Sequence, residues 1–400
     1  MTPILFMIGL VGFGAAPPVI LTLSEPLENA RLAGVKWVVQ ARDGKGRWLN
    51  PQENPAEVEP LTALAVLALL TNGHGPDDPI HGEVVRGGVE QLLAFRERPP
   101  RHSTPITTYR WELDFGPLAL VEAFRQSHDH EWRDRLPPGA KAYVDVLLAL
   151  HRQRRLGAYV FNLAPRLQGL RLAKTVFGAA VPDDAFERGG GLIRALFMEA
   201  LTLTPPGPAG FRYNLGTHEP DRNDPHPERH AQNLPNICRN GSGALGLYYA
   251  GQGTRDEARR AMASLFARMD VDWTYPNEGE SLGLWYGVQA AQIYSPEGWR
   301  VWWERVAPQL HRLNGREVQA QDGSFKFSRD VYVYAAGATF GDEHTRPRRW
   351  EFCHRLRDTV LTVATLGLVR SPARWVLPDL PRAEFSKEEV TQLMNKGGQP

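Results

Sequence analysis

The sequence predicts an all-α fold, an (α/α)6 toroid of helical hairpins, on three observations. Several segments repeat one plan: a small-residue apolar helix, a short polar turn, then an amphipathic helix rich in Arg and Glu. Such internal repetition is the mark of a repeat architecture. The second helices carry helical periodicity, with Val85, Val89, Leu92 and Leu93 on one stripe and Ala258, Met262, Leu265 and Phe266 on another. No series of alternating apolar and polar residues marks out strands.

In chain order, residues 3–23 are almost wholly apolar. Pro17 and Pro18 interrupt the run and argue against a continuous membrane span. Ile4 to Phe13 has the length of a signal h-region, and Gly14-Ala15-Ala16 offers small residues for cleavage, although no Lys or Arg precedes the run. Residues 1–22 are therefore read as an apolar leader or signal peptide, and the chain as exported or periplasmic, with a cytoplasmic protein keeping its apolar arm as the alternative. A helix over Leu27–Gln40 follows. Five hairpins come next. Leu61–Leu70 pairs with Gly82–Arg96, Phe115–Phe124 with Pro138–Arg152, and Leu163–Phe177 with Pro182–Leu201. Gly241–Ala250 pairs with Arg255–Met269, and Leu284–Tyr294 with Pro296–Leu313. The turns end in helix starters, as in Pro182-Asp183-Asp184 and Thr254-Arg255-Asp256-Glu257. A last helix spans about Glu351–Val369.

An open solenoid exposes apolar faces at both ends and needs polar caps. The terminal helices here are no more polar than the internal ones. Pairing them as a sixth unit closes a ring over residues 23–376. The remaining 377–400 reads as a tail, with Ser386 and Glu389 at capping-box spacing ahead of a short helix to about Met394.

Composition narrows function by exclusion. The 400 residues carry 46 Lys+Arg against 45 Asp+Glu, a formal charge of +1, so no net positive field holds nucleic acid. Hydrophobic residues make up 42%, enough for a large core. Two cysteines, Cys238 and Cys353, are too few for a disulfide framework or a Cys-rich zinc module. No nucleotide-binding glycine motif is present, and no cofactor is expected.

Lys36-Trp37-Val38-Val39-Gln40 with Asp43-Gly44 and Trp48, and Gln319-Ala320-Gln321-Asp322-Gly323-Ser324-Phe325, resemble the signature of the prenyltransferase and squalene-cyclase repeat, with Phe325 in place of its Trp. Over residues 25–370 the chain thus resembles the α/α-toroid proteins of the terpenoid cyclase and protein prenyltransferase superfamily, in particular its bacterial members. The resemblance implies a central cavity suited to an apolar or isoprenoid-like small molecule. For Gln40, Gly44, Trp48, Gln319, Gly323 and Phe325 a structural role is expected. Gln ties helix ends, Gly turns the chain, and the aromatic ring packs on the adjoining helix.

The family chemistry is represented only in part. Cyclising members protonate an alkene through a D-x-D-D motif, whose middle acid stays protonated in a dry site. Asp270-Val271-Asp272-Trp273 resembles it, with Trp273 replacing the last Asp, which makes Asp270 and Asp272 candidate acids. The zinc-binding Asp-x-Cys of the prenyltransferases has its nearest match in Glu351-Phe352-Cys353-His354, with no later His, so no metal is expected there. The thioester motif of other relatives is missing around both cysteines.

In a toroid the connections that precede the inner helices gather at one rim. Trp111, Asp114, Asn162, Arg239, Glu280, Trp285 and Tyr286 then point toward a common cavity. Trp111, Asn162, Arg239, Trp285 and Tyr286 are the candidate substrate-binding residues. Asp114 and Glu280, with Glu112, are the carboxylates that a glycosidase-type site would need. Two further polar stretches stand out. Asn214–Arg239 holds His218, His226 and His230 among acids and prolines, and reads as a solvated loop or a metal or proton-transfer site. Ser328–Arg349 mixes charges with Tyr332, Tyr334 and Phe340. Three function classes remain open: an isoprenoid-handling toroid enzyme, a non-catalytic lipid, glycan or peptide binder, and a carbohydrate-active α/α barrel.

Overall fold

The computed structural model describes residues 22–49, 58–97, 115–152, 160–198, 209–212, 237–267, 280–310, 312–313, 316–317, 319–325, 346–371 and 375–397. These residues are predominantly helical. The helices are α1 (Glu25–Gln40), α2 (Val58–Thr71), α3 (Gly82–Glu97), α4 (Gly116–Gln126), α5 (His130–Arg133), α6 (Leu136–Arg152), α7 (Val160–Phe177) and α8 (Asp183–Ala195). They continue as α9 (Ile237–Tyr249), α10 (Asp256–Ala267), α11 (Glu280–Tyr294), α12 (Trp299–Val306), α13 (Arg346–Arg370) and α14 (Lys387–Gly397).

Two small hairpins of strand interrupt the helices. β1 (Phe197–Met198) pairs with β2 (Gly210–Phe211), and β3 (Arg312–Leu313) with β4 (Arg316–Glu317). They correct two expected helices. The one predicted over Pro182–Leu201 stops at Ala195, and the one predicted over Pro296–Leu313 stops at Val306, with a 3-10 turn over Ala307–Leu310. In the first case Phe197 meets Phe211 edge-on with ring centroids 5.4 Å apart, and Phe211 is itself buried against α9.

Two kinds of helix separate by burial. In α9 every residue is buried, and in α2 every residue from Glu59 to Thr71 is. The same holds for 358–369 of α13 and for 283–294 of α11. A helix that is apolar all round belongs inside a larger body. By contrast α3, α8, α10 and α12 bury one stripe each, as Ala258, Ala261, Met262, Leu265 and Phe266 do in α10.

Helices α2, α4, α7, α9, α11 and α13 touch in that order, and α13 touches α2 again. Small residues set these approaches. A Cβ on Gly241 of α9 would lie 2.8 Å from the Gly287 backbone nitrogen on α11, and one on Gly367 of α13 would lie 2.8 Å from the Thr71 carbonyl oxygen on α2. The α2–α13 seam is also hydrogen-bonded. Asn72 donates Nδ2 to the carbonyls of Ala68 (2.7 Å) and Val363 (2.9 Å), while its Oδ1 accepts from Arg31 of α1 at 2.7 Å. Asn72→Ala removes the cross-helix bond to the Val363 carbonyl and leaves one Arg31 donor without its partner, and is expected to cost about 1–2 kcal/mol, read as a lower urea midpoint with an unchanged slope. A midpoint identical to wild type would show that this seam bears no strain.

The two repeat signatures are structural, as expected for most of their residues. Trp48 is buried and donates Nε1 to the Val38 carbonyl at 2.8 Å. Gln319 donates to the Ala30 carbonyl at 2.8 Å and the Gly323 carbonyl at 3.0 Å. Gly323 has φ +92°, and a Cβ there would strike the Ala33 carbonyl of α1 at 2.5 Å, so only glycine fits. Trp37 of α1 donates to Asp322 at 3.1 Å, and Arg355 of α13 pairs with the same carboxylate. The segment 319–325 therefore fastens α1 to α13. Two expectations differ. Gln40 is exposed, and the left-handed turn residue after α1 is Gly46 (φ +73°) rather than Gly44.

Beyond α13, Trp375 and Leu377 are buried, and α14 docks on α10 and α12. Its capping box forms: Ser386 N–H donates to Glu389 Oε2 at 2.8 Å and Glu389 N–H to Ser386 Oγ at 3.1 Å. Among the described residues no helix is long and apolar enough to cross a membrane. Residues 1–21 of the apolar N-terminal run lie outside the described residues.

Candidate functional site

Side chains from α4, α7, α9 and α11 meet at one buried cluster. Gln168 of α7 donates Nε2 to Gln289 Oε1 of α11 at 2.9 Å and to Tyr249 Oη of α9 at 3.1 Å. Helices α7 and α11 flank α9 on either side, so this bond bridges past it, over the face that carries Tyr249. Tyr249 in turn donates its hydroxyl to the Trp375 carbonyl at 2.7 Å. The Trp375 indole donates to Glu122 Oε2 of α4 at 2.9 Å, and its ring lies edge-on to Trp285 of α11 with centroids 5.3 Å apart. Gln126 donates to Glu122 Oε1 at 2.7 Å and to the Leu70 carbonyl of α2 at 3.0 Å.

Glu122 sits in the otherwise apolar stretch Leu118–Phe124 and Gln289 in Gly287–Ala291, while Gln168 is two residues from the buried Arg166. Desolvation forces such groups to find partners. Burial raises the Tyr249 phenol well above its ordinary pKa, so it stays a neutral donor. Two atoms of the cluster nevertheless have no hydrogen-bond partner: Gln168 Oε1 and Trp285 Nε1. Both residues are fully buried.

Ser281, Trp285 and Gln289 fall at successive i, i+4 spacings on one face of α11. The face therefore runs about 12 Å along the helix, at roughly 1.5 Å per residue. At its start Ser281 Oγ donates to Asp358 Oδ1 of α13 at 3.0 Å, and Arg357 pairs with that oxygen at 3.2 Å.

Of the residues singled out in the sequence, Arg239, Trp285 and Tyr286 are described, and all three are buried within α9 and α11. Trp285 belongs to the cluster above. Glu280 is the first residue of α11, and Asn162 lies in the first turn of α7; their side chains lie outside the described residues. Trp111, Glu112, Asp114, Asp270 and Asp272 also lie outside them, as do residues 214–236 with their histidines, the stretch 328–345, and the side chains of Glu351, Cys353 and His354. Among the described residues no three His, Cys, Asp or Glu side chains could together hold a metal ion.

Neither family models nor curated proteins nor solved structures give a match to this chain. The site therefore rests on its own chemistry. Sequence reading missed Glu122, Gln168, Tyr249, Gln289 and Trp375. A signal was there for Glu122 and Gln289. A lone Gln or Glu inside a helix that is apolar on every side has no solvated face to occupy, so it must point at another buried polar group. Trp375 gave none, because it follows the last helix of the repeat.

Proposed function

We propose that the chain is an (α/α)6 toroid whose ring interior binds an apolar, isoprenoid-like small molecule. The supporting observation is the bridge from Gln168 to Gln289. It joins two helices that do not neighbour one another in the order of contacts, so the faces that carry it look inward from separate parts of the ring. In this reading α2, α4, α7, α9, α11 and α13 are the inner layer and α1, α3, α6, α8, α10 and α12 the outer.

The inward surface then combines the leucine and alanine side chains of α2 and α4 with Tyr249, Trp285 and Trp375, and adds a few polar atoms. Ligand sites share that make-up: apolar and aromatic walls with a small number of placed polar groups. Trp375 and its bonded partners close the ring toward the ends of the inner helices, since Gln126 and Tyr249 are the last residues of α4 and α9. The opposite end, where the inner helices begin, is the ligand's way in.

Equilibrium dialysis of the full chain against squalene and farnesol, with a neutral oligosaccharide as comparison, tests this. Saturable uptake of a terpenoid at one per chain is the expected result. Uptake of the oligosaccharide alone, or of nothing, overturns the proposal.

A further inference from the structure

We infer that the connection between α2 and α3 is an acid-released latch: the knot of His74, Asp78 and His81 holds it shut with one imidazolium at most, and a second positive charge on the two rings opens it. The inference needs no ligand and stands apart from the binding proposed above.

The knot joins two helix ends. Gly73, at φ +85°, turns the chain out of α2, and His74 N–H donates to the Leu69 carbonyl at 3.1 Å. His74 Nδ1 lies 3.0 Å from Asp78 Oδ2. The other carboxylate oxygen, Asp78 Oδ1, accepts the N–H groups of Ile80 at 2.7 Å and of His81 at 2.9 Å. His81 opens α3, since its carbonyl accepts the N–H groups of Val84 at 3.0 Å and Val85 at 3.1 Å. The His74 and His81 rings meet edge-on with centroids 4.6 Å apart. One carboxylate therefore holds the side chain of the first histidine and the backbone of the second.

Charge limits this arrangement. Burial works against the Asp78 carboxylate, but the bond with His74 and the two backbone N–H groups hold its pKa at about 2. It balances a single imidazolium. A second one would lie against the first, at the start of α3, where the N-terminal peptide dipoles repel a cation. The charged groups that face His81 are His74 and Asp78 from its own turn and Arg42 from the segment after α1. Burial, the His74 charge and Arg42 push its pKa below the ordinary 6.5, against the opposing pull of Asp78. The next acid, Asp77, is engaged elsewhere, with Arg86 at 2.6 Å and the His128 N–H at 2.5 Å.

The closed turn thus takes a proton at His81 less readily than the open turn does. Its stability is complete above 6.5 and falls as pH drops below that value. Ile80 is 76% exposed, so this part of the turn has little packed apolar area to hold it. Asp77 stays fastened, because Arg86 also pairs with Asp129 ahead of α5 at 2.8 Å. What opens is therefore 78–85, the end of the turn and the first turn of α3.

Hydrogen exchange of the full chain, read by mass spectrometry and corrected for intrinsic rates, tests this on wild type, His74→Gln and His81→Gln. Far-UV circular dichroism checks that each variant folds. In wild type the protection of 78–85 is expected to fall several-fold from about pH 7 to about pH 5, while 127–133 keeps its protection. Either variant leaves one histidine for the Asp78 carboxylate to balance, and its 78–85 protection is expected to stay constant over the same range. Unchanged wild-type protection overturns the inference, as does acid release in either variant to the wild-type extent. Equal loosening of 78–85 and 127–133 overturns it too, since that would be acid unfolding at large. Should both variants fail to fold, the wild-type comparison of those two segments decides.

Discussion

Trp375→Ala is expected to lower stability by about 3–5 kcal/mol, the range for truncating a buried Trp to Ala. The residue lies beyond the last helix of the repeat and is 4% exposed. Its ring contacts Trp285 edge-on, an arrangement that adds about 0.5–1.5 kcal/mol beyond burial. Its indole N–H meets Glu122 Oε2 at 2.9 Å, so truncation also takes a donor from a buried carboxyl group. The bond from the Tyr249 hydroxyl to the Trp375 backbone carbonyl does not depend on the Trp375 side chain. Trp375→Phe separates the terms: it keeps an aromatic ring against Trp285, gives up the donor, and is expected to lose roughly 1–2 kcal/mol. Urea unfolding followed by far-UV circular dichroism measures both. A loss below about 1 kcal/mol for Trp375→Ala would show that the residue merely covers the cluster instead of wedging into it.

The helices were legible in the sequence because each carries its own local evidence. The wholly buried ones are runs such as LTALAVLALL, and others have a single apolar stripe, so period and composition suffice without knowledge of the neighbours. The boundaries shifted where tertiary contacts took over. Residues 58–60 extend α2 because Glu59 finds a buried place, and α7 starts three residues early, with Pro165 tolerated inside it. Pro165 stands in the second turn of α7 and costs the N–H that would pair with the carbonyl of residue 161. The docking role of Gln319 and Gly323 was also readable, since signature spacing fixes a turn. What could not be read was which residues meet. The bridge of Gln168 to Gln289 spans 121 positions and that of Trp375 to Glu122 spans 253. Nothing local in the chain encodes such a meeting. A polar residue in an apolar helix announces that it has a partner and does not say where.

Glu59→Gln is expected to stabilise the protein at alkaline pH and to leave it nearly unchanged in acid. Glu59 stands in the first turn of α2, buried, where an exposed acid would gain from the helix dipole. Burial dominates instead and pushes its carboxyl from 4.5 up to about 7, against a weaker opposing hydrogen bond with Tyr143. Tyr143 of α6 lies against it, with its hydroxyl 3.1 Å from the Leu92 carbonyl, and its bond with Glu59 favours the carboxylate but offsets burial only in part. Between pH 4.5 and about 7 the folded state keeps a proton that the unfolded chain has released. Stability therefore falls as pH rises through that window, and the full penalty is present above it. The shift corresponds to about 3 kcal/mol at 1.36 kcal/mol per pH unit. Glutamine has the shape of the neutral acid and carries no charge to bury at any pH. Urea midpoints for wild type and Glu59→Gln should thus converge near the acid end and separate toward about pH 8, with the variant higher by up to about 3 kcal/mol. Parallel midpoints across the range would show that Glu59 titrates alike in the folded and unfolded chains. In that case its carboxylate must find water or a cation at the start of α2, and the Tyr143 hydroxyl proton must turn from Leu92 toward it.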